Sequence, residues 1–150
     1  MTDTEVLVIG IGLVVSLLYS ELFGVAPGGI IVPGYLALAI SEPVTVALTL
    51  AVALLTYFAV RVLGTIAIVY GRRRNVLAIL IGFGLGALAR TLVGAGTPFG
   101  GYGIDVVGYV VPGLLAIWMD RQGLAVTVTS AVTASIATRL AGLLWIGSQV

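Results

Sequence analysis

Gly29-Ile-Ile-Val-Pro-Gly-Tyr-Leu-Ala37 and Gly108-Tyr-Val-Val-Pro-Gly-Leu-Leu-Ala116 are the stretches whose reading decides the fold. A shift of 79 residues superimposes them, and six of the nine positions are identical. The chain has only five prolines, so chance pairing of two Val-Pro-Gly elements explains this poorly. The match extends outward. Gly24 falls on Gly103, Val25 on Ile104, and Ser41 on Asp120, two residue types that cap helix starts. A shift of 70 aligns the runs that precede them, pairing Val6 with Val76, Ile9 with Ile79, Gly12 with Gly82 and Leu18 with Leu88. The nine-residue difference is a longer loop in the second half. The pattern is a two-fold internal repeat, about 6–71 and 76–147. Each half reads as a helix, a broken Val-Pro-Gly segment, a capped turn and a long helix.

The residues around these stretches set the protein class. The chain is 60% apolar, 9% charged and 21 of its 150 residues are glycine. A soluble domain carries about 25% charged residues. Thirteen charged side chains cannot coat a soluble sphere of 15.4 kDa. A soluble enzyme, a disordered tail and a nucleic-acid binder are excluded. The expected class is an all-α polytopic membrane protein, with residues 1–150 as a single integral membrane domain. There is no histidine or cysteine, which removes Cys/His metal sites, thiol nucleophiles, His-dependent triads and disulfides. Lysine is absent too, so no lysine-bearing phosphate loop exists and all seven cations are arginine. Glu21, Glu42, Asp105 and Asp120 are scattered. They form no catalytic cluster, and no cofactor or metal is expected.

Apolar runs cover Val6–Leu22, Val44–Tyr70, Val76–Val93 and Leu124–Ile146. The N-terminus is acidic and lacks the basic region of a secretory signal, so the first run is expected to be retained. Ser41-Glu42-Pro43 reads as a helix start, with Ser41 as cap and Pro43 in the first turn. Gly71-Arg-Arg-Arg-Asn75 ends the second run, ahead of the next one at Val76, and is the densest charge cluster in the chain. Glycine and proline make a straight helix through 23–40 improbable. Irregular backbone at membrane depth survives only where protein or a water-filled cavity satisfies it. Such breaks in matching places mark a binding site or pathway in membrane proteins. Gly29, Val32, Pro33, Gly34, Gly108, Val111, Pro112 and Gly113 are therefore candidates for a pathway or assembly role. Packing is the simpler role for Gly82, Gly84 and Gly86.

Four to six membrane segments are compatible with this pattern. Re-entrant breaks give four and crossing breaks give six. Arg72, Arg73 and Arg74 are expected on the cytoplasmic side, touching a partner or lipid headgroups. The six-span arrangement puts Arg121 on that side as well, and the four-span one puts it opposite. Arg61, Arg90, Arg139, Glu21 and Asp105 lie inside apolar runs, where ionisable residues are costly and often functional. Arg90 can snorkel to the interface. Arg61, Arg139 and Glu21 are pathway candidates, with an ion pair or snorkelling as the simpler alternatives.

Gly24-Val-Ala-Pro-Gly-Gly-Ile-Ile-Val-Pro-Gly-Tyr-Leu-Ala37 resembles the first hallmark of the CapC/PgsC family. Leu54-Leu-Thr-Tyr57, Tyr70-Gly-Arg-Arg73, Gly108–Ala116 and Gln122-Gly123 resemble further stretches of that family in the same order. Residues 83–102 carry no shared motif. The resemblance implies a multi-pass subunit in the plasma membrane, part of a poly-γ-glutamate capsule synthase. Catalysis there belongs to a separate ATP-dependent ligase, CapB/PgsB, and CapA/PgsA is a further partner. On this reading the chain is not itself an enzyme. It supports synthesis and passage of poly-γ-glutamate across the membrane. The two Val-Pro-Gly elements would meet near the pseudo-symmetry axis to form a polymer conduit or the ligase docking face, with Arg61 or Arg139 receiving the polyanion. A bundle this small would need several copies, as a homo-oligomer, or its partner to enclose such a path. The alternatives are a self-contained small-solute transporter and a purely structural membrane anchor for the ligase.

Overall fold

The chain punctuates its helices with glycine, proline and acids. A computed structural model describes residues 3–41, 43–66, 71–93 and 109–147. Six helices occupy them: α1 (Asp3–Phe23), α2 (Val32–Ala39), α3 (Pro43–Ile66), α4 (Arg72–Val93), α5 (Val110–Gln122) and α6 (Leu124–Gly147). Asp3 and Glu5 sit at the positive end of α1, where the helix dipole favours them. Pro33 lies in the first turn of α2, where its missing N–H removes no helical bond. Gly123, at φ 98°, stops α5, and its carbonyl accepts the Thr127 N–H at 3.1 Å to open α6. α1, α3 as far as Thr65 and α6 as far as Trp145 are each long and apolar enough to cross a membrane.

Three expectations need correction. The three arginines do not lie between the apolar runs but inside a helix. Gly71 takes φ 63°, its carbonyl accepts the Arg74 and Asn75 N–H groups, and α4 begins at Arg72. Asp120 is not a helix cap, because α5 runs through it to Gln122. The Val-Pro-Gly of residues 32–34 is not itself a break. The irregular backbone is Gly24–Ile31, and Val32-Pro33-Gly34 forms the first turn of α2. Residues 67–70 of the expected second run, the Gly94–Gly103 loop, Glu42, Asp105 and Gly108 lie outside the described residues.

Each short helix lies between the long helix before it and a long helix of the other half. α2 packs on α1 and α6, and α5 packs on α4 and α3. Val32 and Leu36 of α2, Ala53 of α3, Val111, Leu115 and Met119 of α5 and Ala131 of α6 form one buried cluster. The outer faces are apolar: Leu22 is 77%, Val44 68% and Leu144 76% exposed. Lipid solvates such faces as well as protein does, so cohesion comes from close packing rather than from withdrawal of apolar surface from water.

Candidate functional site

Glycine permits the closest approaches. A Cβ on Gly12 of α1 would lie 2.5 Å from the Gly34 Cα of α2, and one on Gly34 3.1 Å from the Ile9 Cα. In the second half, a Cβ on Gly82 of α4 would lie 2.6 Å from the Gly113 N, and one on Gly113 2.7 Å from the Ile79 Cα. Each Val-Pro-Gly glycine thus presses backbone on backbone against the helix before it. Gly86 packs on Tyr109, while Gly84 meets open space. Val32, Pro33, Gly34, Val111, Pro112 and Gly113 are all buried.

Buried hydroxyls fill the remaining polar positions, and their bonds are local. Thr56 Oγ1 donates to the Val52 carbonyl at 2.7 Å, Ser135 Oγ to Ala131 at 2.5 Å and Thr138 Oγ1 to Ala134 at 2.8 Å. Ser16 Oγ of α1 reaches across to the Gly29 carbonyl at 3.2 Å. Gly29 itself, at φ 115°, lies against the Trp118 indole.

The irregular stretch is held from the far end of the chain. Gln122 Nε2 donates to the Ala26 carbonyl at 2.5 Å, and the Ala26 N–H donates to Gln122 Oε1 at 3.2 Å. The same Nε2 donates to Thr127 Oγ1 at 3.1 Å. A side-chain amide here does what a neighbouring strand does in a sheet, satisfying both backbone groups of one residue.

The charged candidates separate into two places. Arg139 of α6, half-buried, donates from Nη2 to Ser41 Oγ at 3.2 Å. Arg61, exposed on α3, donates to Tyr57 Oη, and its guanidinium lies over the Tyr57 ring at 5.8 Å. Ser41 precedes the start of α3, and Arg61 lies 18 residues beyond Pro43, about 27 Å along the helix. The structure therefore does not bring Arg61 and Arg139 together. Arg72 and Arg73 are exposed at the start of α4. Arg74 Nη2 donates to Asp120 Oδ1 at 2.7 Å, linking α4 to α5. Glu21 is exposed in the last turn of α1, and the Arg90 side chain lies outside the described residues.

Sequence reading missed Tyr57, Asn75 and Asp120 as neighbours of Arg74. These three, with Val60, Ala78, Ala116 and Ile117, line a narrow cleft beside it. The four-residue spacing of Tyr57 and Arg61 on a helix was the available signal.

Among the described residues these features define an all-helical protein of six helices, three of them fit to cross a membrane, with two short helices sharing its core and arginines concentrated at the start of α4. The pattern of the capsule biosynthesis CapC family matches residues 11–128, and the chain belongs to that family. It is 37% identical over 129 residues to the PGA biosynthesis protein CapC of Bacillus subtilis (strain 168), covering 85% of this chain and 86% of that one. It is 35% identical, over the same shares, to the capsule biosynthesis protein CapC of Bacillus anthracis. No solved structure matches it. Arg139 lies beyond the family match, whereas both Val-Pro-Gly elements, Arg61 and Arg72–Arg74 lie within it.

Proposed function

We propose that this chain is a non-catalytic membrane subunit of a poly-γ-glutamate capsule synthase. It forms one integral domain over residues 1–150 in the plasma membrane. It supports a separate ATP-dependent ligase and the passage of that ligase's polymer, with a CapA-like subunit as a further partner. The names of its relatives support the pathway. The observation that carries the division of labour is closure of the bundle by the Gly12–Gly34 and Gly82–Gly113 contacts. With these contacts made, the polymer path lies between copies of the chain or against the ligase. The Val-Pro-Gly elements then act as the fixed centre of the bundle, and Arg61 or Arg139, which stand near opposite ends of α3, receives the polyanion.

The domain reads as two copies of one unit spanning the membrane six times, with Arg72–Arg74 and Arg121 inside. Three bonds support this. Arg74–Asp120 puts the end of α5 beside the start of α4. Gln122–Ala26 ties the end of α5 to the return from α1, and Arg139–Ser41 ties the end of the α2 segment to a point 17 residues further along. Residues 26–41 thus accompany α6 for roughly 20 Å, allowing for the reach of the arginine, and do not turn back. The matched i−4 bonds of Thr56 and Ser135, 79 residues apart, support the repeat. Cysteine introduced as Arg121→Cys should be protected from an impermeant thiol reagent outside, and Ser41→Cys should react. The chain has no cysteine of its own. Outside labelling at 121 would overturn the six-span arrangement.

Function is tested by reconstituting the chain with its ligase in vesicles and measuring polymer on both sides. Transfer should require this chain and fall when Arg61 and Arg139 are both alanine. Transfer that proceeds equally without the chain would sink the proposal. The closed core also favours an anchor role, and that reading predicts loss of ligase activity itself rather than of transfer alone.

A further inference from the structure

Arg74 is bonded to Asp120 through Nη2, but its Nε is buried and has no hydrogen-bond partner among the described residues. A buried, unmet guanidinium N–H is destabilising and calls for an acceptor. The cleft beside it offers Tyr57 and Asn75 on the polar side. Tyr57 in turn carries Arg61, which stands beside the exposed Phe58 and Val62. On the other side of Arg74, a second cleft between α3 and α4 is lined by Val60, Leu63, Gly64, Leu77 and Ile81. Two arginines, a phenol and an amide therefore adjoin an apolar groove at the arginine-rich end of the bundle. A polyanionic chain would need a continuous polar track. An amphipathic ligand with one anionic head and an apolar tail fits both parts.

We infer that this place is a binding site for an anionic phospholipid. The phosphate lies between Arg61 and Arg74, and an acyl chain lies along the exposed apolar side chains beside the narrow α3–α4 cleft. Arginine pairs phosphate through several N–H donors at once, and basic pockets between membrane helices hold such headgroups. Asp120 sets the affinity by competing for Arg74. The site is independent of whether polymer crosses the protein.

The test is native mass spectrometry of the purified full chain, titrated in detergent with phosphatidylglycerol or phosphatidylcholine. One phosphatidylglycerol should be retained in preference to phosphatidylcholine. Arg74→Gln with Arg61→Gln should weaken its retention at least about tenfold, the weight of one charge-assisted hydrogen bond. Tyr57→Phe, which removes only a hydroxyl, should weaken it less. Asp120→Asn should tighten it, whereas a purely structural Arg74–Asp120 pair predicts no gain. Arg139→Gln should leave it unchanged. Equal retention of the two lipids would overturn the inference, as would unchanged retention in folded Arg61/Arg74 variants. So would displacement of the lipid by short poly-γ-glutamate, which would assign the site to the polymer.

Discussion

Ser41 and Asp120 occupy matching positions in the two halves of the chain, and each accepts a hydrogen bond from an arginine. The arginines come from different helices. Ser41 is held by Arg139 of α6, and Asp120 by Arg74 of α4. The helix before Ser41 is 8 residues long and the one carrying Asp120 is 13. At their centres the halves agree closely: Gly12 meets Gly34 as Gly82 meets Gly113. The halves are thus alike where backbones touch and different where the segments end. Contacts at the centre tolerate no side chain, so they hold the shared geometry. The ends are free to differ, and there each segment finds its own arginine.

Substitution at the centres should have the largest effect. Gly12→Ala, Gly82→Ala and Gly113→Ala each drive a methyl into backbone at 2.5–2.7 Å. Each should destabilise by about 3 kcal/mol or more and remove folded protein from detergent extracts. Gly34→Ala, whose methyl would lie 3.1 Å from the Ile9 Cα, is still crowded but should be the mildest of the four. If all four behave alike, the centres are not rigid. Gln122→Ala should come next. It strips both backbone groups of Ala26 and should lower stability by about 1–3 kcal/mol, read as thermal unfolding in detergent. Gln122→Glu, which cannot donate to the Ala26 carbonyl, should recover only part of this. Asp120→Asn should follow at about 0.5–1 kcal/mol, because the pair is partly exposed and solvent screens it. High salt should shrink that difference. Ser41→Ala should be smallest, below about 0.5 kcal/mol, since Arg139 keeps access to the interface. A larger effect for Ser41→Ala than for Asp120→Asn would invert the contrast between the two ends.

Much of the centre was legible in the sequence, because self-alignment pairs Gly12 with Gly82 and Gly34 with Gly113 before any coordinates are known. The helix runs were legible from apolar length. The ends were not. Ser41 and Asp120 look like caps because both residue types cap helices, but α5 continues past Asp120. That extension brings Gln122 to Ala26, 96 residues away in the chain, and Asp120 to Arg74, 46 residues away. Hydrophobic periodicity carries no information about partners so distant. The arginines of 72–74 fell between two runs because apolar length alone set the run bounds. Gly71, at positive φ, instead closes the turn one residue earlier and leaves the arginines helical. Arg61 and Arg139 read alike as pathway candidates because both lie inside apolar runs, yet they stand near opposite ends of α3.

The Gln122 amide also bears on how the protein is made. α2 is too short to enter a bilayer as an independent span, and the stretch before it lies outside any helix, so its peptide groups need partners from elsewhere. Two partners of this segment, the Gln122 side chain and α6, are made long after it, Gln122 standing 96 residues beyond Ala26. The first half therefore leaves the ribosome with an unfinished segment. A ribosome stalled before residue 122 would hold α1 and α3 in the membrane and α2 outside its final place.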